Sequence, residues 1–283
     1  RDVTATFTLL DRRLTVTRAG TGGGTVTSAP AGISCGATCG ADFPHGTNVV
    51  LTAAHDTTTS AFGGWTGCTS VSGNTCTVAM TAARSVTATF TLLQRRLDVR
   101  LGGTATGTVT SSPAGISCGA TCSASYAHGT SVTLTATPSS ANVQFAGWDG
   151  ACAGASGTTC TLSMTADRSV GAVFTPVQRT LQVAREGSGY VRSSPGGIDC
   201  GTRCTTTFDH GTNVTLTPVP DAGWEFAGWQ GACAGEVCTI SMTADRWALA
   251  TFRITPRQLT VSRSGGGSGV VTSEPAGINC GRF

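Results

Sequence analysis

The sequence predicts an all-β protein: a tandem array of small disulfide-stapled β modules, sandwich-like or grasp-like, each with about seven short strands. Three observations predict it. A paragraph of about 80 residues recurs along the chain, and each copy carries cysteines at matching places. Apolar residues alternate with threonine over short runs, as in Val86-Thr-Ala88-Thr-Phe90, and no helical period is present. Clusters of Gly, Pro and Ser interrupt these runs at regular intervals.

Each copy opens on paired inward positions of a first strand: Leu14/Val16, Leu97/Val99, Leu181/Val183 and Leu259/Val261. The Gly-rich stretch Ala19–Gly24 leads to a second strand around Val26, and the two strands read as a hairpin. A Ser-x-Pro-x-Gly-Ile turn follows, as in Ser111–Ile116, and delivers the first cysteine pair. Then come a strand ending in an aromatic (Phe43, Tyr126, Phe208), a tight His-Gly-Thr turn, and a strand with Val49, Leu51 and Ala53 inward. A variable loop precedes Phe-x-Gly-Trp, at Phe62–Trp65, Phe145–Trp148 and Phe226–Trp229. The second cysteine pair and Met80, Met164 or Met242 close the core. A last alternating strand completes the copy at Val86–Phe90, Val170–Phe174 and Ala248–Phe252, and the same pattern opens the chain at Val3–Phe7.

These signals set the expected organisation. Residues 1–10 read as the last strand of a preceding repeat, 11–93, 94–176 and 177–256 as three full repeats, and 257–283 as the start of a fourth. The chain is thus expected to be a segment of a longer array. Links such as Phe90–Leu97 lack Gly and Ser, and two contain Pro (Pro176, Pro256), so they read as semi-rigid.

The 13 cysteines imply an oxidising compartment, hence an extracellular or cell-surface setting. The twelve expected to bridge are Cys35, Cys39, Cys68 and Cys76; Cys118, Cys122, Cys152 and Cys160; and Cys200, Cys204, Cys233 and Cys238. Cys280 is left without the partner that a C-x3-C spacing would give it. Zinc knuckles prefer C-x2-C pairs, which these spacings do not match. Cysteine count alone leaves connectivity open. The loop between Cys233 and Cys238 is three residues shorter than that between Cys152 and Cys160, which favours local pairing across a hairpin.

Charge and composition exclude several classes. A net charge of +3 points neither to nucleic acid nor to an anionic membrane. All 18 basic residues are arginine, so lysine isopeptide cross-links are impossible. No apolar run is long enough to span a bilayer. No paired acids, calcium-loop spacing or Ser-His-Asp constellation recur, so the chain reads as non-catalytic, with no metal and no cofactor.

Trp65, Trp148 and Trp229 repeat at one core-like position and read as core rather than as sugar platforms. His45, His128 and His210 read as turn residues. Tyr190 and Trp247 replace small polar residues of the other copies, turn outward by alternation, and form a candidate contact patch. Trp224 alternates with Phe226 toward the core. Arginines gather near the joins at Arg12/Arg13, Arg95/Arg96, Arg179 and Arg257, as candidate bridges between neighbours.

The elements Leu14-Thr-Val16, Gly24-Thr-Val26-Thr-Ser28-Ala-Pro30-Ala-Gly-Ile33-Ser-Cys35, Gly46-Thr-Asn-Val49-Val-Leu51, Phe62-Gly-Gly-Trp65 and Cys76-Thr-Val-Ala-Met80 together resemble the divergent internalin-type B repeat of bacterial surface and secreted proteins. The histidine before Gly-Thr departs from that pattern. The resemblance implies a compact β-rich module strung in tandem on bacterial exteriors. The expected role is a stiff stalk or filament whose partners are neighbouring repeats and identical chains in a fibre. Two other roles fit the same family: an adhesin segment that binds glycan or a receptor through the variable loops 54–61, 138–143 and 218–224, and an accessory module of a secreted enzyme.

Overall fold

A computed structural model describes residues 1–281; Arg282 and Phe283, the end of the expected fourth copy, lie outside the described residues. The chain divides after Pro176 into two compact units. The first holds two hydrophobic cores, within residues 14–90 and 97–174; the second holds one, within residues 181–252.

In the first repeat the strands are β1 (Asp11–Ala19), β2 (Thr25–Ala29), β3 (Ser34–Cys35), β4 (Gly40–Pro44), β5 (Asn48–Ala54), β6 (Ser60–Thr66), β7 (Ser70–Ser72), β8 (Thr75–Ala79) and β9 (Arg84–Leu92). They form two sheets, β4-β1-β9-β6 and β3-β2-β5-β8-β7. One buried cluster draws on both: Leu14, Val16, Val86, Ala88 and Phe90 from the first sheet, Val26, Val49, Leu51, Ala53 and Val78 from the second. No helix is present among the described residues, so the module is a two-sheet sandwich. The other two repeats keep this plan.

The strand number varies: nine, eight and seven in the three repeats. The difference lies in the shortest elements. β7 has no counterpart in the second and third repeats, and in the third the counterpart of β3 is reduced to an isolated bridge of Asp199 to Arg192.

The first and second strands do not pair as the expected hairpin. β1 is occupied on both edges, by β4 antiparallel and by β9 parallel, so β2 crosses to the other sheet and pairs with β5. The parallel β1/β9 pair, running from Leu14↔Arg84 to Ala19↔Thr89, is the middle of its sheet. It recurs as Leu97–Gly103 with Arg168–Phe174, and as Leu181–Glu186 with Arg246–Thr251. The first and last strands of each repeat are therefore hydrogen-bonded neighbours.

The ends of the chain show what that pairing does. Residues 1–10, expected as a last strand, form no strand, and Val3 and Phe7 are almost fully exposed. The stretch around Leu259 and Val261, expected as a first strand, forms none either. Neither has its complement beside it, and an isolated strand leaves its backbone groups to water. The Ser-x-Pro turn of the fourth copy does form. Ser273 Oγ donates to the Pro275 carbonyl at 2.9 Å and accepts from the Ile278 N–H at 2.9 Å, as Ser28, Ser111 and Ser193 do in the full repeats. That turn is encoded locally, whereas the sandwich is not.

The glycine in Phe-x-Gly-Trp has a specific task. Residues three apart on a regular strand face opposite sides. A β-bulge between Phe62 and Gly64 shifts the register, so that Phe62 lies opposite Phe90 and Trp65 opposite Ala88. Both rings then reach the core, 5.4 Å apart. Gly64 adopts φ 126°, a conformation that L side chains rarely take. The same bulge recurs at Phe145/Gly147 and Phe226/Gly228.

Phe90, Phe174 and Phe252 are buried at the centre of their cores, where such burial stabilises by about 1.5–3 kcal/mol each. Each packs on a glycine. A Cβ on Gly107 would lie 2.3 Å from the Phe174 ring, whereas one on Gly102 would meet open space. Gly107→Ala is thus expected to destabilise the protein by about 1–3 kcal/mol through overpacking, while Gly102→Ala stays near neutral. Thermal denaturation of the two variants checks this; equal melting points would contradict the packing.

Candidate functional site

Six disulfides join Cys35–Cys39, Cys68–Cys76, Cys118–Cys122, Cys152–Cys160, Cys200–Cys204 and Cys233–Cys238. Cys280 is unpaired and partly buried. The bridges are short in sequence, but their place in the fold differs from a simple clasp across a hairpin. Cys35 lies on β3 in the second sheet, and Cys39 immediately precedes β4 in the first. The Cys39 carbonyl accepts from the Val16 N–H at 2.7 Å, and Cys122 and Cys204 repeat that bond to Val99 and Val183. Cys68 follows β6 of the first sheet, and Cys76 lies on β8 of the second, opposite Val71 rather than Cys68. Both bridges in a repeat therefore clamp points where the chain crosses from one sheet to the other.

The three tryptophans pack on their cores, though unequally. Trp65 and Trp148 are buried, at 9% and 8% exposure, while Trp229 is only partly buried. Trp148 Nε1 donates to the Gly157 carbonyl at 3.2 Å; Trp65 and Trp229 have no acceptor for theirs among the described residues. Trp224 packs against the third core from its edge.

Tyr190 and Trp247 are not brought together. Tyr190 lies on Gly189–Ser194 in one sheet of the third repeat, Trp247 on Arg246–Ile254 in the other. They face outward from opposite sides of the sandwich, so they do not make one patch. Tyr190 carries the Arg192 guanidinium 4.9 Å above its ring, and Trp247, 56% exposed, lies against Gly231.

The histidines act through their backbone. The N–H groups of His45, His128 and His210 donate to the carbonyls of Leu10, Leu93 and Val177 at 2.9, 2.7 and 2.9 Å. The next glycine in each turn donates to Met80, Met164 or Met242 at 3.1 Å. The turn thus fixes the residue that enters each repeat to the core methionine. The sequence marks these positions only as turn residues, because the role is carried by the backbone N–H and not by the imidazole.

At the join between the first two repeats, the Leu93 N–H donates to the Thr59 carbonyl at 3.0 Å, and Arg95 Nη2 donates to the Thr58 carbonyl at 2.6 Å. Leu93 is therefore bonded on one side to the first repeat and on the other, through His128, to the second. Arg13 and Arg96 instead pair within their own repeats, with Asp42 at 3.2 Å and Asp98 at 2.8 Å. Arg179 Nε lies 3.4 Å from His210 Nδ1.

No group of three or more His, Cys, Asp or Glu side chains that could hold a metal ion occurs among the described residues. No helix there is long and apolar enough to cross a membrane. Two carboxylates are shifted. The Asp98 carboxyl is held below its ordinary range by hydrogen bonds from Arg96 first and the Ser123 hydroxyl second. The Asp56 carboxyl is lowered by the Thr58 hydroxyl at 2.6 Å and then the Thr58 N–H at 2.8 Å. Asp56 is exposed and Asp98 partly exposed, and both serve local loops and strand edges.

The family described as Divergent InlB B-repeat domain matches residues 14–94, 97–178 and 180–256. Among solved structures the chain is similar to the Bacillus anthracis TIE protein, with TM-score 0.47 and 8% identity over 85% of this chain and 49% of that one. It is also similar to a Streptococcal ancillary pilin, with TM-score 0.24 and 8% identity over 88% of this chain and 100% of that one. The chain thus spans about half the length of the first of these. No curated protein matches it.

Two outcomes follow from the staples and the shifted carboxylate. Replacing Cys118 and Cys122, or Cys152 and Cys160, by serine pairs is expected to cost about 2–2.6 kcal/mol in chemical denaturation, from the entropy of rings this size. A loss under about 0.5 kcal/mol would show the crossings hold without them. Asp98 has a depressed folded pKa, so its contribution is present above the unfolded value of about 3.9 and is lost as pH falls through the lower folded value. NMR titration should place its midpoint below about 3.9, and Arg96→Ala should return it toward that value.

Proposed function

The chain belongs to the divergent InlB B-repeat domain family, and on that premise we propose that it is a non-catalytic, extracellular structural segment of a bacterial surface or secreted protein, serving as a stalk or filament spacer. Six disulfides in three repeats support an oxidising location. The repeat boundaries that fit this reading are 11–93, 94–176 and 177–256.

The observation that carries the reading is the join. One residue, Leu93, separates β9 from the next strand at Gln94. Leu93 has both backbone groups bonded, one to each flanking repeat, and the Arg95 guanidinium adds a third tie. A connection this short and this fully bonded transmits position rather than absorbing it. Each repeat closes on its own core, so copies add length without needing a new interface design.

Small-angle scattering tests this. A Gly-Ser segment inserted after Leu93 is expected to broaden the distribution of interatomic distances relative to the native chain. If native chain and insertion variant scatter alike, the joins are already loose and the spacer reading fails.

A further inference from the structure

The loop between the second cysteine pair is one place where the third repeat departs from the second. In the second repeat, the long Cys152–Cys160 loop folds back so that the Gly157 carbonyl takes the Trp148 indole N–H at 3.2 Å. In the third repeat that loop is three residues shorter, and the Trp229 indole N–H has no acceptor among the described residues. A cleft of 560 Å³ opens at this position, lined by Phe226, Ala227, Gly228, Trp229, Gly235 and Glu236. Trp65 also lacks an acceptor, but it is buried in its core. The cleft lies beside Trp229, which is only partly buried where Trp65 and Trp148 are buried.

The chemistry of the cleft is specific. Phe226 and Trp229, with ring centroids 5.2 Å apart, give it an apolar aromatic wall. Glu236 supplies a carboxylate, an acceptor of two or more hydroxyl hydrogen bonds. The lining contains no cation, so an anionic ligand would meet Glu236 unscreened. The rim is closed into a small ring by Cys233–Cys238, which reduces the ordering cost of binding. The volume falls within the range of small-ligand clefts. A ligand with an apolar C–H face, several hydroxyls and no negative charge fits each of these features.

We propose that the cleft over Phe226 and Trp229 binds one sugar ring of a neutral saccharide, its C–H face on the aromatic wall and its hydroxyls on Glu236. The ligand would occupy the place that the longer loop of the second repeat fills with Gly157. This site does not depend on the spacer role, since a passive array and an adhesive one would carry it alike.

The test is an NMR titration of the intact chain with glucose, galactose, mannose and N-acetylglucosamine, singly and as short oligomers. At least one should shift the Trp229 indole N–H signal saturably, with a Kd of about millimolar, while the Trp65 and Trp148 signals stay in place. Glu236→Ala should weaken that binding roughly tenfold. Because Trp229→Ala removes a core side chain, the decisive variant instead replaces residues 234–237 with residues 153–159 of the second repeat. That graft should keep the fold, as judged by its remaining indole signals, and abolish the shift. No response to any sugar in the native chain, or an equal response in the graft, overturns the proposal.

Discussion

The parallel pairing of first and last strands is the constraint on which each repeat depends. Parallel neighbours need a long crossover between them, and here the crossover is the rest of the repeat. β1 has nothing to complete its sheet until β9 arrives, some 70 residues later. The chain contains its own control. The stretch around Leu259 has the same Leu and Val as every other first strand, yet without a last strand beside it no strand forms. The local pattern is necessary, and the distant partner decides.

Such closure is entropically demanding, because the contact order is high and each core is small. The two disulfides in each repeat act where the demand is greatest, at the crossings between sheets. Their rings are short, so each contributes modestly by the chain-entropy argument. Their value lies in position: they hold the points at which a chain weaving between two layers would otherwise choose its layer. The same logic explains the bulge in Phe-x-Gly-Trp, where a positive-φ glycine lets one strand send two aromatic rings inward at a spacing that regular pleating forbids.

After each of the first two repeats, a single residue lies between the last strand and the next strand. The His-Gly-Thr turn then ties that residue to the core methionine of the new repeat. Each copy thus carries its own half of the joint. Variation gathers in loops, and one of them ties the join through Thr58 and Thr59. The Cys233–Cys238 loop is another of these, and beside it Trp229 is less buried than Trp65 and Trp148.

The alternation of Val86, Ala88 and Phe90 with threonine determined, by itself, that these residues are strand and which side is inward, because the pleat has a period of two. The recurrence of the cysteines determined the repeat, and the Ser-x-Pro-x-Gly-Ile run determined its turn, which forms even around Ser273, where no sandwich surrounds it. What no run of residues carries is the identity of a partner across 70 positions. Only the tertiary structure decided that β1 pairs with β9 and not with β2, that the cysteines clamp sheet crossings, that Tyr190 and Trp247 look away from each other, and that Trp229 is left partly uncovered. Each of these depends on which layer a strand joins, and that is fixed by closure of the whole repeat rather than by the chemistry of any one segment.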